Sequence, residues 1–222
     1  MSLPFATDSE VITHLTNTGG AKLSGTSWTY AFPTTKWFVG GEAGFAALNS
    51  TQQAAAKYWL TLYDDLIIPN FTVGTSPGAT VKFANSTTPD FAYATYPGLS
   101  NRDSVVWVNP TYNATFGTNN LLTPTLATWG YLTFGHELGH SLGLSHPGSY
   151  NGGSPTYATD AESAQDSIMY TIMSYFAASN TGGDNLADDG LQYFPQSPMM
   201  NDILAIQSLY GASTTTRTDN TI

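Results

Sequence analysis

An eleven-residue run, His136-Glu137-Leu138-Gly139-His140-Ser141-Leu142-Gly143-Leu144-Ser145-His146, constrains the fold more than any other part of this chain. On a helix, His136 and His140 stand about 40° apart and one turn up, so both imidazoles face one point. Glu137 lies within the same arc of about 100°, where its carboxylate reaches a water on a shared metal. His146 cannot join them on a continuing helix, because it would point about 240° round from His140. Gly143 resolves the conflict, since glycine accepts a positive φ, ends the helix and lets the chain turn back. Three nitrogen ligands leave a fourth position for water, as a catalytic zinc site needs and a structural one does not. An isolated His-x-x-x-His pair is often accidental. Here three of only 4 histidines in 222 residues fall inside one pattern.

Composition narrows the class. The chain has 16 acidic and 6 basic side chains, a net charge of -10. That balance argues against nucleic acid, whose phosphates demand Lys and Arg, and against anionic membrane surfaces. Cysteine is absent, so disulfides and thiolate metal sites are unavailable. No apolar run approaches the roughly 20 residues that span a bilayer. Residues 1–17 lack the basic-then-apolar order of a signal peptide, so export would use a signal that is not in this chain.

The pattern along the chain is mixed. Trp28, Tyr30 and Phe32 alternate with small or polar residues and predict a strand ending at Pro33. Asn49-Ser50 opens a helix through Gln52, Ala55, Trp59, Leu62 and Leu66, stopped by Pro69. Three strand-like runs follow, Ala79–Ala84, Phe91–Tyr96 and Ser104–Asn109, separated by turn residues. A helical pattern covers Thr125–Leu142. Irregular chain runs from Pro147 to about Gln196, and a last helix from Pro198 or Met199 to Tyr210 is closed by Gly211. The expected division is an N-terminal subdomain over 1–146, a C-terminal subdomain over 147–211 and a loose tail over 212–222.

The zinc motif matches that of the metzincin peptidases, and Ser145-His146-Pro147-Gly148-x-Tyr150-Asn151 resembles the serralysin family of bacterial secreted metallopeptidases. Thr171-Ile172-Met173-Ser174-Tyr175 is similar to that family's Met-turn, as are Asn180-Thr181-Gly182-Gly183-Asp184-Asn185 and Asn201 to Ala212 to the segments that follow it. The likeness fades before about residue 80. It implies an α+β (mixed) metzincin-type domain: a twisted, mostly parallel sheet with two long helices and a loop-rich C-terminal subdomain with one helix, the zinc cleft between. It implies that Met173 forms a floor beneath His136, His140 and His146, and that Tyr175 reaches the zinc at rest and swings to the substrate oxyanion. Spacing alone leaves Met169, Ile172 and Met173 open as ordinary core residues.

Family members continue into a calcium-binding roll of Gly-Gly-x-Gly-x-Asp repeats, which this chain does not contain. Arg217, Asp219 and Thr221 lie where the first roll calcium takes backbone carbonyls, with Asp in place of the usual Gly. Either a roll was removed or this member lacks one. Zn2+ is the implied cofactor, and Ca2+ enters mainly through the repeat domain.

The implied chemistry is endopeptidase hydrolysis of a protein or peptide substrate by zinc-activated water, with Glu137 as general base. An extended substrate can add to an exposed strand edge. Ala92, Tyr93 and Ala94 are the candidates, because small alternate side chains leave one row unobstructed; an ordinary inner strand is the other reading. A catalytically silent binding module and a zinc amidase acting on a non-protein substrate remain as rival functions. A secreted monomer, open to a proteinaceous inhibitor, completes the expectation.

Overall fold

A computed structural model describes residues 3–37, 41–98, 104–112 and 120–216. Helix α1, Asp8–Leu15, opens on a reciprocal cap: Glu10 N donates to Thr7 Oγ1 at 3.3 Å, and Thr7 N to Glu10 Oε2 at 2.8 Å. Strand β1, Ser27–Ala31, leads to helix α2, Ser50–Leu66, where Asn49 and Gln52 form a second capping box. Ala55, Ala56, Trp59, Leu60 and Tyr63 make the buried face of α2, at the expected helical spacing.

Strands β2 (Asn70–Val73), β3 (Val81–Asn85), β4 (Ala92–Ala94) and β5 (Ser104–Val108) complete one sheet in the order β2-β1-β3-β5-β4. Four strands run parallel, and β4 lies antiparallel at the edge, with Tyr93 opposite Trp107. Every residue of β3 and β5 is buried, as inner strands of a covered parallel sheet require. The Phe91–Tyr96 run is shorter as a strand than expected, although Asn109 N to Phe91 O and Thr95 N to Val105 O extend the pairing at either end. β2 was not foreseen: a mostly exposed edge strand needs little apolar pattern to form.

Helix α3, Trp129–Ser141, begins four residues later than the apolar pattern suggests. Ala127 takes φ 64°, a left-handed turn no helix can include, and Leu126 is 53% exposed rather than packed. Thr128 caps the true start by accepting from Tyr131 N at 3.2 Å. After α3 come one helical turn, α4 (Tyr157–Asp160), a 3-10 turn (Ala178–Thr181) and helix α5, Met200–Tyr210. The sheet, α2, α3, α5 and the segment of Ile172 and Met173 share one core.

The tail is tied down further than expected. Ser213 N donates to Leu66 O at 3.1 Å, and Thr216 Oγ1 to Asp65 O at 2.6 Å, holding residues 212–216 on the end of α2. Hydrogen bonding from one backbone amide and one hydroxyl, which needs no apolar face, replaces the packing that the sequence lacks there. Arg217, Asp219 and Thr221 lie outside the described residues. Among those described, no helix is long and apolar enough to cross a membrane.

Candidate metal centre and active site

The C-terminus of α3 turns as its glycine requires. Gly143 N donates to His140 O at 3.0 Å and Leu144 N to Gly139 O at 2.9 Å, the paired bonds of a Schellman motif. Gly143 has φ 98°, and a β-carbon there would lie 2.3 Å from Ala21 O. The returning chain is then caught by α1. Ser145 N donates to Leu15 O at 2.7 Å, and Ser145 Oγ to His14 O at 2.6 Å, both carbonyls of the last turn of that helix. His146 follows directly.

Gly143→Ala should therefore be among the most damaging conservative changes. Left-handed strain of about 1–3 kcal/mol adds to a backbone clash that no rotamer relieves. A melting temperature and zinc content equal to those of the parent would show that the turn does not place His146.

His140 Nε2 lies 3.1 Å from both His136 Nε2 and His146 Nε2, and the last two are 3.2 Å apart. Zinc–nitrogen bonds of about 2.0–2.1 Å at tetrahedral angles set neighbouring ligand nitrogens about 3.3 Å apart, so the triad fits zinc. Each Nδ1 faces a backbone carbonyl: His136 to Ile172 O at 2.8 Å, His140 to Leu144 O at 2.7 Å, His146 to Tyr150 O at 2.8 Å. A carbonyl only accepts, so each proton sits on Nδ1 and each Nε2 lone pair points inward. Burial holds His136 at about 4 and His146 at about 3, and pushes His140 well below its ordinary value. All three are neutral at pH 7, as ligands must be. No other group of this kind occurs among the described residues.

Glu137 is 3% exposed, and its Oε2 takes no hydrogen bond from the described residues. Burial alone pushes its carboxyl up to about 8 with no cation at the nitrogens, and a dication beside it opposes that shift. Glu137 lines a cavity of about 720 Å³ with Trp129, Thr133, Tyr175, Phe176 and Phe194.

Met173 is fully buried against α3. A β-carbon on Gly139 would come 2.7 Å from Met173 Sδ and 3.1 Å from Tyr63 Oη, so glycine between the two histidines lets both approach. Tyr175 stands with its ring 4.5 Å from that of His146 and 6.0 Å from that of His136. Its hydroxyl accepts from Gly152 N at 3.3 Å, a long bond that is easily released. Burial raises its pKa.

Three residues near the site went unassigned in the sequence reading. Asp202, wholly buried at the start of α5, accepts from Thr171 Oγ1 at 2.5 Å, Ile172 N at 2.8 Å and Met199 N at 2.7 Å, and so pins the turn above Met173. Burial pushes Asp202 up to about 6. Tyr96 places its hydroxyl 3.3 Å from His140 Nδ1, and burial pushes it up to about 12. Asp166 is buried between two loops of the site. Only Asp202 left a local signal, an acidic residue at the third position of a helix.

Two imidazoles from one helix, a third from a glycine-turned return and a methionine turn below are the geometry of a metzincin-type metallopeptidase domain. A family model described as metallo-peptidase family M12B, reprolysin-like, matches residues 98–203. The chain is 39% identical over 186 residues to a serralysin of Photorhabdus sp. (strain Az29), covering 81% of this chain and 37% of that protein. It is 38% identical over 210 residues to the metalloprotease AprA of Pseudomonas entomophila (strain L48), covering 88% and 41%. Serralysin B of Dickeya chrysanthemi matches at 37% over 193 residues, covering 82% and 38%. The chain spans less than half the length of these relatives, and it belongs to the serralysin family of metallopeptidases.

Proposed function

We propose that this chain is a zinc-dependent endopeptidase domain that hydrolyses peptide bonds in protein substrates. The observation that carries the reading is the convergence of three Nε2 lone pairs within 3.2 Å beside the buried carboxyl of Glu137. His136, His140 and His146 would hold the zinc, which would supply Lewis acidity toward the water and the scissile carbonyl. Glu137 takes the proton of the attacking water and returns it to the leaving amine. Tyr175 leaves the Gly152 amide and donates to the oxyanion. Met173 supports the ligand helix from below.

The substrate lies extended along β4. Phe91 at one end of that strand lines the large cavity, and Tyr96 beyond the other end lines a cavity of about 210 Å³ with His14, Ser145, Asn151 and Glu162. A peptide added to Ala92, Tyr93 and Ala94 passes both. The partner is thus a protein or peptide, and a proteinaceous inhibitor would occupy the same edge. A secreted, monomeric enzyme fits the reading, and calcium would enter only through a repeat domain of the kind that the family resemblance implies.

The test is zinc analysis paired with casein digestion, before and after chelation and after zinc is restored. Zinc-loaded protein that leaves casein intact would sink the reading and favour a non-protein amide substrate or a binding role. Tyr175→Phe is expected to lower kcat about tenfold or more with KM little changed, as for a group acting on the transition state. An unaltered kcat would remove Tyr175 from the chemistry.

A further inference from the structure

We propose that Asp166 is a positioning residue that couples the arm carrying His146 to the segment carrying Tyr175; this rests on the peptidase reading above. Asp166 is 1% exposed. Its Oδ1 accepts two hydroxyls from different segments, Tyr150 Oη at 2.8 Å and Ser174 Oγ at 2.6 Å. The Tyr150 carbonyl is the acceptor for His146 Nδ1, and the Tyr150 ring stacks on that imidazole with centroids 5.4 Å apart at 23°. Ser174 precedes Tyr175, and its oxygen also accepts from Phe176 N at 3.1 Å, so it braces the chain on both sides of that tyrosine. The Tyr150 and Tyr175 rings meet at 5.0 Å.

One carboxylate oxygen thus ties the backbone that orients a metal ligand to the backbone that aims the proposed oxyanion donor. Hydroxyl-to-carboxylate bonds are short and strong, about 2.5–2.7 Å at best, and the Ser174 bond falls in that range. Asp166 Oδ2 is buried and takes no hydrogen bond from the described residues. Leaving it so is costly, and a residue serving only the core would more cheaply be apolar. Groups that orient metal ligands typically alter affinity or activity by about 10–100-fold when removed.

The experiment compares Asp166→Ala, Asp166→Asn, Tyr150→Phe and Ser174→Ala in zinc-loaded protein. Each variant is measured for kcat, KM, the rate of zinc release to a chelator, and melting temperature. Asp166→Ala should accelerate zinc release and lower kcat, each by about tenfold, with KM little changed. Asp166→Asn should restore most of both, because the amide oxygen still accepts. Tyr150→Phe should reproduce the faster zinc release, and Ser174→Ala the lower kcat without it. If Asp166→Ala lowers only the melting temperature, the residue is merely structural and the proposal is overturned. Should that variant fail to fold, the split between Tyr150→Phe and Ser174→Ala decides, and its absence overturns the proposal equally. Parent protein without peptidase activity would sink the peptidase reading instead, while zinc release still decides the Tyr150 limb.

Discussion

Glu137→Gln keeps its zinc and loses nearly all turnover, by about 10²–10⁴-fold, if Glu137 is the general base. Glutamine matches glutamate in shape, and Oε2 takes no hydrogen bond from the described residues, so the amide deprives no protein donor of a partner. In the proposed site the metal would be held by three other side chains, so the loss should fall in kcat. Zinc loss in the variant would make Glu137 a ligand, and near-normal turnover would make it a bystander. Metal-free protein offers a second check. There the buried carboxyl stays protonated to about 8, whereas the unfolded chain gives up that proton near 4.5. The native state then binds more protons across that window, so this group lowers stability as pH rises through it. Glutamine cannot ionise. Metal-free Glu137→Gln should therefore gain on metal-free parent between pH 4.5 and 8, in unfolding followed at several pH values. Parallel curves would show that the carboxyl is not buried as described.

Removing zinc should lower the melting temperature sharply, and removing calcium should not. Without a cation three inward lone pairs face one another at 3.1–3.2 Å, and a bound zinc would tie the His146 side chain itself to those of His136 and His140. Zinc present at a thousandfold its dissociation constant contributes about 4 kcal/mol. For a chain of this size that is a shift of roughly 8–16 °C. Acid should act through the same residues. The metal-free site keeps its histidines neutral down to about 4 and 3, while unfolded histidines take up protons near 6.5. The unfolded state binds more protons in that window, so their contribution to stability is lost as pH falls below about 6.5. Protons also compete directly with the metal. Calcium is different, since the described fold closes on α5 and the hydrogen bonds of residues 212–216 to the end of α2. Thermal unfolding with a zinc chelator and, separately, a calcium-selective one makes the test. A large drop in the second and none in the first would show that the stabilising metal has been misassigned.

The sequence by itself determined the parts governed by local geometry. Helical periodicity puts His136, Glu137 and His140 on one arc, and the φ demanded of Gly143 bends His146 back to them, because both follow from steric rules of a few consecutive residues. The same holds for α2, whose capping pair Asn49 and Gln52 and buried stripe are written within its own span. Tertiary structure decided what depends on partners far along the chain. Helix α1 looks unremarkable until Ser145 is found bonded to its last carbonyls, 131 positions on. Thr125 to Ala127 carry a helical pattern, yet a left-handed Ala127 holds them out of α3. Asp166 reads as an ordinary polar residue, and so does Asp202. Their meaning comes from donors on other segments, since a buried carboxylate is defined by which hydroxyls and amides converge on it, and convergence across loops has no period to read.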